Sequence, residues 1–226
     1  MTAVMPASRL GTAASSRGSG LFFVARAGRP RPGAQVPAAL HLSDHPLTQA
    51  FAAFDLPDGR IDKVYLHWSA GPYDRPSSAY HFVVGFRTGL LFAEQTHDVR
   101  ENMRQVTPDV AYAAHTRGRN SYAIGVSALS MLDATPHDFG PAPLTPELLD
   151  ALLAMTAFIC RRYGITVHPQ NVLTHAECAV VENYFGLLPQ QRWDLSRLDP
   201  AAEPLTEAEA LDTGEALRRR ISAYLR

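Results

Sequence analysis

The sequence predicts an α/β domain built on a central mixed β-sheet flanked by helices. Two observations carry this expectation. Short runs of alternating apolar residues are interleaved with stretches of helical periodicity, the pattern of a sheet with helices on its faces. The chain has 226 residues, 46% of them hydrophobic and 19% charged, which suits one sizeable domain and is marginal for two. There are no internal repeats.

Residues 1–44 read as an Ala/Arg/Gly/Pro-rich tail with no acidic residue before Asp44. Arg9, Arg17, Arg26, Arg29 and Arg31 could attract an anionic surface, but a loosely draped tail is the expectation. The folded domain is expected over 45–200. "HPLTQAFAAF" suits a short helix, and "RIDKVYLHW", with Ile61, Val64 and Leu66 alternating, a buried strand. "GPYDRPSS" is a loop, "AYHFVVGF" a second strand that turns over at "RTGL", and "LLFAEQTH" its return strand. Residues 98–114 are ambiguous, with Pro108 arguing against one long element. "SYAIGVSALSM" is a further strand. Residues 145–163 form a helix capped by Thr145, with Pro146 in its first turn and Gly164 at its end. Leu148, Leu149, Leu152, Leu153, Thr156, Ile159 and Cys160 share its inner face. "NVLTH" is a short strand running into His175. Residues 201–226 are a helical extension with Thr206 and Glu209 as a capping box and Gly214 as a candidate break.

Composition excludes several classes. A net charge of −1 gives no global reason to expect a polyanionic partner, so no nucleic acid is expected. No run of about 18 apolar residues is present, so no membrane insertion is expected. The apolar run Leu21 to Ala25 is too short for a signal-peptide core of about 7–15 residues. Cys160 and Cys178 do not make a disulfide framework.

Nine histidines are present. His41, His45, His97, His137 and His168 stand in polar or Pro-rich surroundings and are expected at the surface. His67 and His175 each end a short predicted strand, where ligands tend to bind in open sheets. A catalytic zinc needs three N, S or O ligands and one open position. His67 and His175 suit this, with Asp194, Cys178 and Glu177 all available as a third ligand. His81, within an alternating strand, reads as a packed core residue. The residues alone reach a mononuclear zinc hydrolase as one open reading.

Five segments in this order, "VYLHWSAG", "AYHFVV", "YAAHTRGRNSYAIGVSAL", "VLTHAE" and "RWDLSRL", resemble the zinc-dependent N-acetylmuramoyl-L-alanine amidases. That superfamily includes phage lysins, bacterial muropeptide amidases and peptidoglycan recognition proteins. The resemblance runs from about residue 60 to 198. It implies an amidase-like fold with Zn2+ as cofactor and His67, His175 and Asp194 as ligands, Cys178 being the competitor for the third place. It implies hydrolysis of the amide between N-acetylmuramic acid and L-alanine.

Tyr80 matches a catalytic tyrosine near the metal. Arg192 stands where phage relatives carry a lysine; as a permanent cation it would stabilise an oxyanion. Many bacterial relatives carry a glutamate general base where this chain has Ser127, so the base is open between Tyr80, Glu177 and the metal's own hydroxide. Trp68, His115 and Asn120 are the expected substrate-binding residues, Trp68 flooring a groove walled by the 69–79 loop and the region around His115. Packing is an equal reading for Trp68 and His115, and Asn120 is expected to fix its loop. The implied partner is peptidoglycan or a soluble muropeptide, met by a monomer. With no signal peptide evident, cytoplasmic synthesis is expected, with action on the wall as an endolysin or on cytoplasmic muropeptides. The rival reading is a non-catalytic peptidoglycan-binding module.

Overall fold

The computed structural model describes residues 22–23, 41–183 and 193–226. Of the expected tail over 1–44, Phe22–Phe23 and residues 41–44 are described, and its five arginines lie outside the described residues.

Among the described residues six strands form one mixed sheet: β1 (Phe22–Phe23), β2 (Lys63–Trp68), β3 (Phe82–Arg87), β4 (Leu90–Gln95), β5 (Ala123–Ala128) and β6 (Val172–Thr174). Their spatial order is β1-β4-β3-β5-β2-β6. β3 and β4 are the expected antiparallel hairpin, and β1 pairs antiparallel with β4. β2 lies parallel to both β5 and β6, and β3 parallel to β5. The helices are α1 (Thr48–Ala52), α2 (Pro146–Tyr163), α3 (His175–Val181) and α4 (Glu207–Tyr224).

Alternation along the strands divides the sheet into two faces. Val64, Leu66 and Trp68 of β2, with Ile124, Val126 and Ala128 of β5, join the main core with Leu148, Leu152 and Ile159 of α2. α2 begins and ends as its sequence dictates. The Thr145 side chain accepts from Leu148 N–H, and Gly164 closes the helix in the left-handed conformation at φ 65°. Tyr65 and His67 fall on the opposite face by the same period. There Tyr65 packs with Ala123, Leu173 and Cys178.

Four expectations are corrected here. His45 is buried rather than at the surface, stacked on Phe51 with ring centroids 5.7 Å apart and accepting from Leu47 N–H. Gly214 does not break α4. A β-carbon there would collide with the Glu177 carboxylate, so glycine is what lets α4 approach α3. The Thr206 cap is present, but Glu209 completes no box, because its carboxylate takes a 2.6 Å bond from Arg197 Nη2. The capping box forms instead at Thr174 and Glu177, opening α3. α4 is also part of the domain: its Leu217, Ile221 and Tyr224 belong to the main core. Among the described residues, no helix is long and apolar enough to cross a membrane.

Candidate metal centre

Parallel pairing builds the site. Leu66 of β2 is level with Thr174 of β6, so the next residue on each chain, His67 and His175, emerges beside the other at the strands' carboxyl ends. Their ring centroids are 4.8 Å apart. His175 is not a strand terminus, as expected from the sequence, but the first residue of α3, fixed by the Thr174 box. Asp194 arrives from a distant turn. Trp193 before it packs edge-on against Trp68 at 4.6 Å, Leu195 after it is in the core, and Ser196 N–H closes the turn on Trp193 O at 2.8 Å. Leu195 takes a left-handed φ of 62°, a conformation uncommon for a branched side chain, which marks how firmly the turn is held.

The Asp194 carboxylate faces both imidazoles. Its Oδ2 is 2.8 Å from His67 Nδ1, and its Oδ1 is 2.9 Å from His175 Nδ1. Burial works to raise the Asp194 carboxyl, but His175 and His67 outweigh it and hold the group well below the usual carboxylate range. Burial pushes His67 down, against the opposing pull of Asp194.

A ligand atom from each of His67, His175 and Asp194 lies within 4.8 Å of the others, and no other such cluster occurs among the described residues. The set fits a zinc ion on two counts. It offers two imidazole nitrogens and one carboxylate oxygen, the donor types zinc takes at catalytic sites. The donors also converge in a buried position, Asp194 facing His67 Nδ1 with one oxygen and His175 Nδ1 with the other.

The other candidate ligands are directed elsewhere. Cys178 faces the apolar cluster around Tyr65. Glu177 is tied to Arg218 at 2.7 Å and to Thr174 N–H at 3.2 Å, which turns its carboxylate toward α4 and the α3 cap.

A cleft of about 200 Å³ opens over the triad, lined among others by Trp68, Ser69, Ala70, Tyr80, His115 and Trp193. Tyr80 packs on His67, centroids 5.1 Å apart, and its hydroxyl donates to Trp68 O at 3.3 Å. Burial, then the charge of Asp194, pushes the phenol well above its ordinary value. Trp68 meets the cleft at its edge but is mostly buried against Trp193 and Phe139. Ser127 is fully buried and level with His67 on the adjacent strand. His115 lies over the sheet at Gly125, where any β-carbon would collide with its ring. Asn120 does not line the cleft. Its Oδ1 accepts from Thr116 N–H at 2.8 Å, and it holds the loop as expected. Arg192 lies outside the described residues. His81 is fully buried as expected, its Nδ1 accepting from Gly125 N–H at 3.0 Å, and burial pushes it down to about 3.

Sequence reasoning missed three residues. Met131 and Ala134 add a wall after β5, and Thr116 reaches the far nitrogen of His67 at 3.3 Å. Thr116 directly follows His115 in "AAHTRGRN", so that quoted motif was the available signal.

The family model for N-acetylmuramoyl-L-alanine amidase matches residues 57–194, a span that contains all three members of the triad. No curated protein matches the chain.

Proposed function

The chain belongs to the N-acetylmuramoyl-L-alanine amidase family, and from that premise we propose that it hydrolyses the amide between N-acetylmuramic acid and L-alanine in peptidoglycan or its muropeptide fragments. The observation that carries this reading is the buried His67–His175–Asp194 cluster opening onto a cleft. These three residues would hold zinc, which when bound polarises a carbonyl and acidifies water.

The chain's own residues supply the rest. Asp194 brings a full negative charge to the centre, because its carboxyl stays ionised across the working range. Tyr80 keeps its proton and presents it beside His67, where a phenol can donate to the developing oxyanion or to the leaving nitrogen. Arg192 keeps the electrostatic role that its place before Asp194 suggests. Trp68, Ser69 and Ala70 shape one side of the cleft, and His115 borders it.

The direct test is zinc analysis of the purified chain with an assay for release of L-alanine-headed peptides from peptidoglycan. One zinc per chain and peptide release are expected. A chain with neither would be a binding module instead. Comparing intact sacculi with soluble muropeptides identifies the substrate form. Tyr80→Phe should keep its zinc and lose roughly 10²-fold in kcat, the scale of one proton-transfer group. Unchanged turnover would remove Tyr80 from the chemistry.

A further inference from the structure

Two of the three ligands in the triad stand on segments that α4 touches at adjacent residues. Thr213 Oγ1 donates to Ser196 O at 2.9 Å, and Ser196 is the residue whose N–H closes the Asp194 turn on Trp193 O. Gly214, the next residue, is where α4 meets the Glu177 carboxylate that caps α3 behind His175. One turn further on, Arg218 Nη1 bridges Glu177 Oε1 at 2.7 Å and Val172 O of β6 at 3.1 Å, on either side of the Thr174–His175 step. The two segments also meet directly, Ala176 N–H donating to Asp194 O at 3.3 Å.

These contacts have a common consequence. Neighbouring residues of a helix are separated by a fixed rise of about 1.5 Å, so a helix that holds one segment at Thr213 and another at Gly214 fixes their register. The apolar contacts of Trp193 and Leu195 bury the Asp194 turn but are non-directional. A hydrogen bond is directional, and the Thr213 bond holds the turn at its exit, two residues after Asp194. A metal centre needs its ligands placed within about 0.5 Å, which makes such an anchor matter. α4 lies beyond residues 57–194, the span that the family model matches, so the match does not supply this element.

We propose that Thr213 is a positioning residue for the metal centre, its hydroxyl holding the Asp194 turn in register with the His175 cap through α4. This rests on the metal-centre reading above. Thr213 touches neither metal nor substrate; it acts through Ser196 on the placing of Asp194.

The test compares Thr213→Val and Thr213→Ser with the wild-type chain. Zinc affinity is read by chelator competition, ligand geometry by the visible absorption of cobalt(II) loaded in place of zinc, and stability by the melting temperature of the metal-free chain. Thr213→Val keeps the shape and removes the hydroxyl. It should bind zinc about 10-fold more weakly, the low end for partners behind a ligand, with an altered cobalt spectrum. Its metal-free melting temperature should fall by no more than about 6 °C, the scale of one hydrogen bond. Thr213→Ser should restore affinity and spectrum. A Thr213→Val chain that melts lower but keeps wild-type affinity and spectrum overturns the inference and leaves the metal centre standing. So does an equal loss of affinity in Thr213→Ser. A wild type that binds neither metal overturns the metal centre, and this inference with it. If Thr213→Val does not fold, Thr213→Ala, which removes the same hydroxyl with a stronger helix former, decides on the same readouts.

Discussion

Asp194→Ala will lose zinc and hydrolysis together while the chain stays folded. The carboxylate is the only anion in the triad and lies within 2.9 Å of both imidazoles, so its removal leaves two imidazole ligands and no counter-charge. Partners one shell further out typically cost 10–100-fold in metal affinity, and a direct ligand should cost more, at least about 10²-fold. The turn itself should survive, because Trp193 against Trp68, Leu195 in the core and the Ser196 N–H bond do not depend on the carboxylate. Zinc content by mass spectrometry, far-ultraviolet circular dichroism and peptide release measure the three quantities. Full activity in this variant would exclude Asp194 as a ligand.

Arg218→Met should be the most destabilising of the substitutions considered. Arg218 Nη1 reaches Glu177 Oε1 at 2.7 Å and Val172 O at 3.1 Å, with both side chains almost wholly buried. Removing one partner of a buried pair strands the other, at about 3–5 kcal/mol. At about 2–4 °C per kcal/mol for a domain of this size, the melting temperature should fall by roughly 6–20 °C. Glu177 is also the residue that caps α3 and so sets His175, which makes the loss functional as well as structural.

The pH dependence follows from Glu177. Burial raises its carboxyl above the ordinary value even with Arg218 opposing. A raised folded-state pKa gives stability that is present at low pH and lost as pH rises through that value. Losing Arg218 raises Glu177 further, so the deficit of Arg218→Met should shrink as pH falls toward the ordinary carboxylate range. Replacing both members, as Glu177→Gln with Arg218→Met, should recover much of the loss at neutral pH. Thermal melts at pH 7.5 and 5 decide this. A deficit that grows on acidification would exclude Glu177 as its source.

Much of the site was legible from local sequence. His67 and His175 stood out because strand endings can be read from a period of two, and strand ends are where parallel sheets place ligands. The Thr145, Pro146 and Gly164 signals bounded α2 correctly because capping is a short-range event. The Thr174–Glu177 box had the same local signature, but "NVLTH" drew attention to the strand before it. His45 misled because polar neighbours in sequence say nothing of Phe51 and Tyr224, which enclose it in space.

By itself, then, the sequence determined the α/β class, the two histidines and the order of motifs, all of which rest on periodicity and on residues close along the chain. Only the tertiary structure brings Asp194, rather than Cys178 or Glu177, beside the two histidines. That choice depends on where a turn 127 residues from His67 meets it, which no local pattern encodes. The same holds for Gly214, whose lack of a side chain is explained by a carboxylate on another helix. It holds for Tyr80, whose phenol is held above its ordinary value by burial that no local pattern encodes.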